Sequence, residues 1–291
     1  MPEQFDTSLK KPRGLGCKSV DLIEAMHSIV EAAQPITGRG VGYKLFVAGL
    51  IASMSTTDMQ RVYRVLKEAR ERDMIPWGWI VDETRELERA ASWRSPEAYA
   101  DATIRDYRRD YWEQQPVRVE VWSEKGTIRG VLQPVLDEYG VGFRVLHGFA
   151  SATSVHDVAE DSDGRELVVL YVGDWDPSGL CMSERDLPER LSRYGGDHVT
   201  IQRIALQRDH LSGLPSFPAA KKKDDKRYPW FIENYGGRCW ELDALDPNDL
   251  RSCVEEKIVE QIEPTAWRRC KVTEAAERDS LVDVMSAWCR S

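Results

Sequence analysis

From Val117 onward the chain alternates short apolar strands with helices: "VRVEVW", a helical run from Thr127 to about Tyr139, "GFRVL", a helix near 152–160, then "ELVVLYV". Such alternation implies an α/β fold with a mainly parallel sheet, because each strand is followed by a helix long enough to cross back over the sheet. In such sheets functional groups gather beyond the carboxyl ends of the strands. Those ends are therefore where chemistry is sought.

Ahead of Pro116 the pattern is different. The first eighteen residues, with "KKPRG" inside them, read as a flexible arm. Ser19 to Ala33 is helical, with Val20, Ile23, Ile29 and Val30 at three- and four-residue spacings. A second helical run is "GYKLFVAGLIASM". A third follows Ser55-Thr56-Thr57, a cluster of good capping residues, and spreads Arg61, Arg64, Lys67 and Arg70 over its polar surface. Pro76 and Gly78 stop that helix and Trp79-Ile80-Val81 suits a short strand. Three helices and a short strand outline a winged helix. A further helix is signalled by Ser95-Pro96-Glu97 and runs to about Trp112. The domains are placed at 19–115 and 116–291, the second continuing through a strand in "HVTIQRIAL", a polar loop, and helices around 248–262 and 273–288.

Composition narrows the function classes. At 291 residues with 42% hydrophobic content, two domains are expected. No stretch has the apolar length of a bilayer span and the opening residues lack a secretory segment, so no membrane partner and a cytoplasmic location are expected. The six cysteines have no paired C-x-x-C spacing and read as buried thiols, and the five histidines are dispersed. Zinc is thereby disfavoured, and any metal is a hard ion on oxygen ligands. The formal net charge of −9, with the acid excess after residue 115, leaves nucleic-acid binding to local patches. No G-x-x-x-x-G-K-[ST] loop is present, so no ATP site of that kind is expected. The ten tryptophans read as packing residues.

Two strand ends then matter together. "VRVEVWSEKG" carries Glu124 just past its strand, and "VVLYVGDWDPSG" carries Asp174 and Asp176. With period-two alternation, residues 174 and 176 point to one face. Three carboxylates at one sheet edge suit Mg²⁺, which takes a few carboxylates, waters and a substrate phosphate. The alternative is a solvated turn: Asp-Pro and Ser-Gly are turn signals, and acidic residues cap helices that follow strands.

The Glu after one strand and the D-x-D after another resemble the Toprim domain. The ordered series "HGFASATS", "GDWDPSG", "IQRIALQRDHL", "LPSFPAAKKKDDKR" and "CWELDALDPNDLR" is similar to the A subunit of topoisomerase VI and its meiotic double-strand-break relatives, closest to the compact stand-alone Mini-A group. In the first domain, "RGVGYKLFVAGLI" puts Arg39 and Tyr43 at the spacing of that family's arginine and catalytic tyrosine, although Gly40 and Gly42 stand where the family shows an acidic residue and a second aromatic. Tyr43 also reads as a core aromatic beside Phe46, Val47 and Leu50.

The resemblance implies a winged-helix domain followed by a Toprim domain. It also implies a homodimer on double-stranded DNA, with Tyr43 as nucleophile, Arg39 as its nearby cation, and Mg²⁺, or Mn²⁺ in substitution, on Glu124, Asp174 and Asp176. Cleavage would form a 5′-phosphotyrosyl link in a bacterial or phage-encoded, nucleoid-associated protein, with strand passage depending on a separate ATPase subunit. DNA-contact candidates are Arg61, Arg64, Arg203, Lys221, Lys222, Lys223 and Arg227. Two alternatives stand beside this: a Toprim nuclease using metal-bound water, and a DNA-binding protein without catalysis.

Overall fold

The computed structural model describes residues 17–81, 91–146, 152–161 and 164–289. The arm expected over 1–18 lies almost wholly outside them, and so does most of "HGFASATS". The chain divides into two compact units, one ending at Asp82 and including Asp243–Asn248, the other holding the remainder.

The first unit runs α1 (Cys17–Ala33), β1 (Ile36–Thr37), α2 (Gly38–Val47), α3 (Thr56–Glu71) and β2 (Ile80–Val81), with β1 and β2 paired in parallel. Its apolar centre joins Leu22, Ile23, Met26 and Val30 of α1 to Val41 and Leu45 of α2 and Met59, Val62, Val65, Leu66 and Ala69 of α3. Sequence capping is realised: the Ser55 hydroxyl accepts from Asp58 N at 3.3 Å. Helix α2 starts earlier than its apolar pattern suggests, because Thr37 Oγ1 accepts from Gly40 N at 2.9 Å and begins the helix at Gly38. It stops at Val47, ahead of Gly49 at φ +70°. A Cβ at Gly42 would lie 2.5 Å from Met59 Sδ, and one at Gly40 would lie 2.9 Å from Ile36 Cγ1. A side chain at either position requires Met59 or Ile36 to shift.

The second unit is built on the expected parallel sheet. Strands β3 (Val117–Ser123), β4 (Gly142–Val145), β5 (Glu166–Val172) and β6 (Val199–Ala205) lie in the order β4-β3-β5-β6, all parallel. Between β3 and β4 runs α5 (Thr127–Tyr139), and between β4 and β5 runs α6 (Ala152–Glu160). Residues Leu167 to Val172 are all buried, as a strand flanked on both edges and covered on both faces requires. From β3 the chain steps outward to β4, then returns to the other side of β3 as β5. The strand order therefore reverses between β3 and β5, and the crevice at a topological switch point opens there.

Beyond β5, α7 (Pro177–Cys181) continues through a π turn at Met182–Asp186 into α8 (Leu187–Arg193). Strands β7 (Phe217–Pro218) and β8 (Arg238–Cys239) form a short antiparallel ribbon around α9 (Tyr228–Tyr235). The chain ends in α10 (Pro247–Val259) and α11 (Pro264–Trp288). Helix α11 begins nine residues before its expected start, because the Glu263 carboxylate accepts from Thr265 N at 2.9 Å and Ala266 N at 2.5 Å with Pro264 in the first turn.

The unit division differs from the boundary expected at 116. Helix α4 (Pro96–Asp106) and the segment after it belong with the sheet unit. Glu274 of α11, only 8% exposed, accepts from Arg109 N at 2.9 Å and from Tyr111 Oη at 3.0 Å, while Glu277 accepts from Tyr107 Oη at 2.6 Å. A helix-borne carboxylate some 165 residues away thus fixes segment 107–111, a long-range partner that local composition cannot reveal.

Candidate functional site

The carboxyl ends of β3 and β5 are in register, Ser123 opposite Val172, so the next residues diverge around the switch point. Glu124 follows β3, and Gly173-Asp174-Trp175-Asp176 follows β5. Asp174 Oδ1 accepts the Leu242 amide at 2.8 Å and pairs with Lys125 Nζ at 2.8 Å. Asp176 caps α7, its Oδ1 accepting from Gly179 N at 2.8 Å, while its Oδ2 lies 3.0 Å from Lys222 Nζ. The helix-cap reading and the functional reading therefore meet in one residue: capping uses one oxygen of Asp176 and leaves the other for a cation.

Both aspartates are buried, at 8% and 3% exposure, and a carboxylate that far from water must be compensated. Burial pushes the Asp174 carboxyl up, with Lys125 opposing. Burial also pushes the Glu124 carboxyl up, to about 7, reinforced by the negative charges of Asp174 and Asp176. Glu124 thus lies within the electrostatic reach of both aspartates.

Arg203 organises the loop that carries them. From β6 its guanidinium donates to the carbonyls of Gly173 (2.8 Å), Asp174 (2.5 Å), Gly179 (3.0 Å) and Leu206 (2.9 Å) and to Ser183 Oγ (3.0 Å). The backbone also comes close on itself, since a Cβ on Gly179 would sit 2.4 Å from the Asp174 carbonyl oxygen. Arg203 was expected among the DNA contacts. Its donors are turned onto the carbonyls of Gly173, Asp174, Gly179 and Leu206, so it acts as a positioning residue for the D-x-D loop.

The other expected residues separate. Tyr43 and Arg39 lie on α2 in the first unit, the Arg39 guanidinium 5.8 Å from the Tyr43 ring centroid. Tyr43 is 5% exposed, while Val47 and Leu50, its expected apolar companions, are 66% and 48% exposed. Arg61 and Arg64 stand on the polar surface of α3, where Lys67 pairs with Glu71 at 3.5 Å and Arg72 with Glu68 at 2.8 Å. In the 214–227 loop Lys222 reaches Asp176, Lys221 and Lys223 are exposed, and Arg227 makes a forked pair with Asp225 at 2.6 and 2.7 Å.

Lys125 and the Leu242 amide were not foreseen. The "EK" pair was the one available sign of Lys125, whereas no local pattern links Leu242 to Asp174 across 68 positions. The tryptophans also do more than pack: Arg70 lies 4.4 Å from the Trp77 ring centroid, Arg185 5.6 Å from Trp230 and Arg208 5.9 Å from Trp175.

As a metal site the donors have the right chemistry, three carboxylates suited to a hard cation. Among the described residues, however, no three acidic, histidine or cysteine side chains surround a common point as a ready cage. The two aspartates are engaged with lysines instead. No family model matches this chain, and neither the curated proteins nor the solved structures compared with it include a match.

Proposed function

We propose that this protein cleaves double-stranded DNA by transesterification, as the A subunit of a type IIB topoisomerase does. One observation carries the reading: Glu124, Asp174 and Asp176 gather at the switch point of a parallel sheet, with a lysine-bearing loop beside them. The helix–strand–helix–helix–strand order of the first unit supports the winged-helix assignment, and the β4-β3-β5-β6 sheet supports the Toprim assignment.

In this reading Tyr43 Oη attacks the scissile phosphorus, the P–O3′ bond breaks, and the phenolic proton is lost as the 3′ oxygen gains one. A phenol with pKa near 10 is a weak nucleophile at neutral pH, and the Arg39 guanidinium, 5.8 Å from the Tyr43 ring centroid, is the cation beside it. Glu124, Asp174 and Asp176 would hold Mg²⁺, which when bound supplies positive charge to the phosphate oxygens as the transition state forms. Arg203 keeps the two aspartates fixed to the strand end. Reversal by the 3′ hydroxyl reseals the strand. The active form is a homodimer in the cytoplasm, and directed strand passage requires an ATPase on another chain.

A second reading is favoured by Tyr43 and its neighbours. Tyr43 is 5% exposed, and the acidic and aromatic side chains of the resembled family at positions 40 and 42 would have to displace Ile36 and Met59. A hydrolytic nuclease needs the carboxylates alone.

The test is incubation of the purified protein with supercoiled plasmid and Mg²⁺, a denaturing quench, and electrophoresis with and without protease. Broken DNA that enters the gel normally only after digestion supports the tyrosyl link, and Tyr43→Phe should then abolish cleavage. Free ends that persist in Tyr43→Phe support the nuclease. Glu124→Ala abolishes cleavage in either case.

A further inference from the structure

The aspartates at the switch point already have cations, and these come from the chain itself. Lys125 Nζ sits 2.8 Å from Asp174 Oδ1 and Lys222 Nζ 3.0 Å from Asp176 Oδ2. The pairs offset the charges of both aspartates. Both Asp176 oxygens already have a donor, the Gly179 amide on one and Lys222 on the other, and each keeps a second lone pair. A divalent ion approaching Asp176 meets the Lys222 ammonium beside that carboxylate and is repelled by it until the ammonium leaves.

The geometry of the lysines makes departure feasible. The Lys222 side chain is 42% exposed while the carboxylate it touches is 4% exposed, so the head reaches inward from solvent on a flexible stem. Lys222 is flanked in the same loop by the exposed Lys221 and Lys223. An ammonium pulled off a carboxylate needs another anion, and a phosphodiester offers oxygens of the same charge and hydrogen-bonding type.

We propose that Lys125 and Lys222 are exchangeable counter-ions: they hold Asp174 and Asp176 in place until a phosphate takes over the ammonium groups, so that divalent metal and phosphodiester load the site together. This inference rests on the metal reading given above. It makes both lysines positioning residues and explains why no ready cage of three ligands is present among the described residues. Because coupling between two ligands is reciprocal, the metal tightens DNA binding by the factor with which DNA tightens metal binding.

The experiment titrates Mn²⁺ into the full-length chain and reads free Mn²⁺ by electron paramagnetic resonance, alone and with a saturating short duplex whose own Mn²⁺ uptake is subtracted. For the wild-type chain, duplex DNA should tighten Mn²⁺ binding by about tenfold. Lys222→Met should bind Mn²⁺ about tenfold more tightly than wild type without DNA and gain little from adding it, whereas Lys222→Arg, which keeps the charge, should behave as wild type. Equal Mn²⁺ affinity with and without duplex overturns the exchange while leaving the metal site standing, as does Lys222→Met binding no more tightly than wild type. Failure of every variant and of the wild type to bind Mn²⁺, with or without DNA, overturns the metal site and the exchange with it. Should Lys222→Met not fold, the wild-type comparison decides.

Discussion

Glu124 is a candidate ligand whose ionisation the fold disturbs strongly. Its carboxyl holds a proton up to about pH 7 in the folded chain, against the usual 4.5, because burial and the two neighbouring aspartates disfavour its charge. Between those values the folded state binds more protons than the unfolded state, so stability falls as pH rises from 4.5 to 7 and levels off above. Glu124→Gln has no proton to lose. In EDTA it should gain on wild type by on the order of 3 kcal/mol between pH 4.5 and pH 8, read from urea unfolding at each pH. A constant difference across that range would show that Glu124 titrates normally. At this scale the candidate acids were legible in the sequence, since strand ends followed by Glu or D-x-D are local patterns. What compensates them was not, because Lys222 and the Leu242 amide come from 46 and 68 positions away.

At the scale of the element, the loop from β5 into α7 is the part that fixes the chemistry. It turns so tightly that Gly179 lies against the Asp174 carbonyl, and the contact is with backbone, which has little freedom to move aside. Gly179→Ala should therefore destabilise the second unit by about 2 kcal/mol. It should also weaken Mn²⁺ binding, since both aspartates belong to that turn. Retention of wild-type urea midpoint and metal binding would contradict this account of the loop. Element type was largely readable, because hydrophobic period and capping residues are short-range signals: Ser55 and Ser95 start α3 and α4 as their sequence predicts. The early start of helix α11 is not legible in the sequence because its cap is a glutamate, a less common capping residue than serine or aspartate.

Over the whole molecule, a net charge of −9 opposes approach to DNA, so the proposed function requires a local cationic surface. The exposed Lys221 and Lys223 supply such a surface beside the acids without entering them. Lys221→Glu with Lys223→Glu should weaken binding of a short duplex by roughly tenfold at low salt and lower the slope of log affinity against log salt by about 2. An unchanged slope would remove this loop from the DNA path. No helix among the described residues is long and apolar enough to cross a membrane.

The sequence by itself determined the alternation of strand and helix, and hence a parallel sheet with Glu124, Asp174 and Asp176 beyond its strand ends, because those features follow from periodicity within a few residues. Only the tertiary structure decided that α4 belongs with the sheet unit, that Arg203 turns inward, and that lysines occupy the aspartates. Each of those outcomes depends on satisfying a buried charge or carbonyl with a partner distant along the chain, and such pairings arise only when the elements pack.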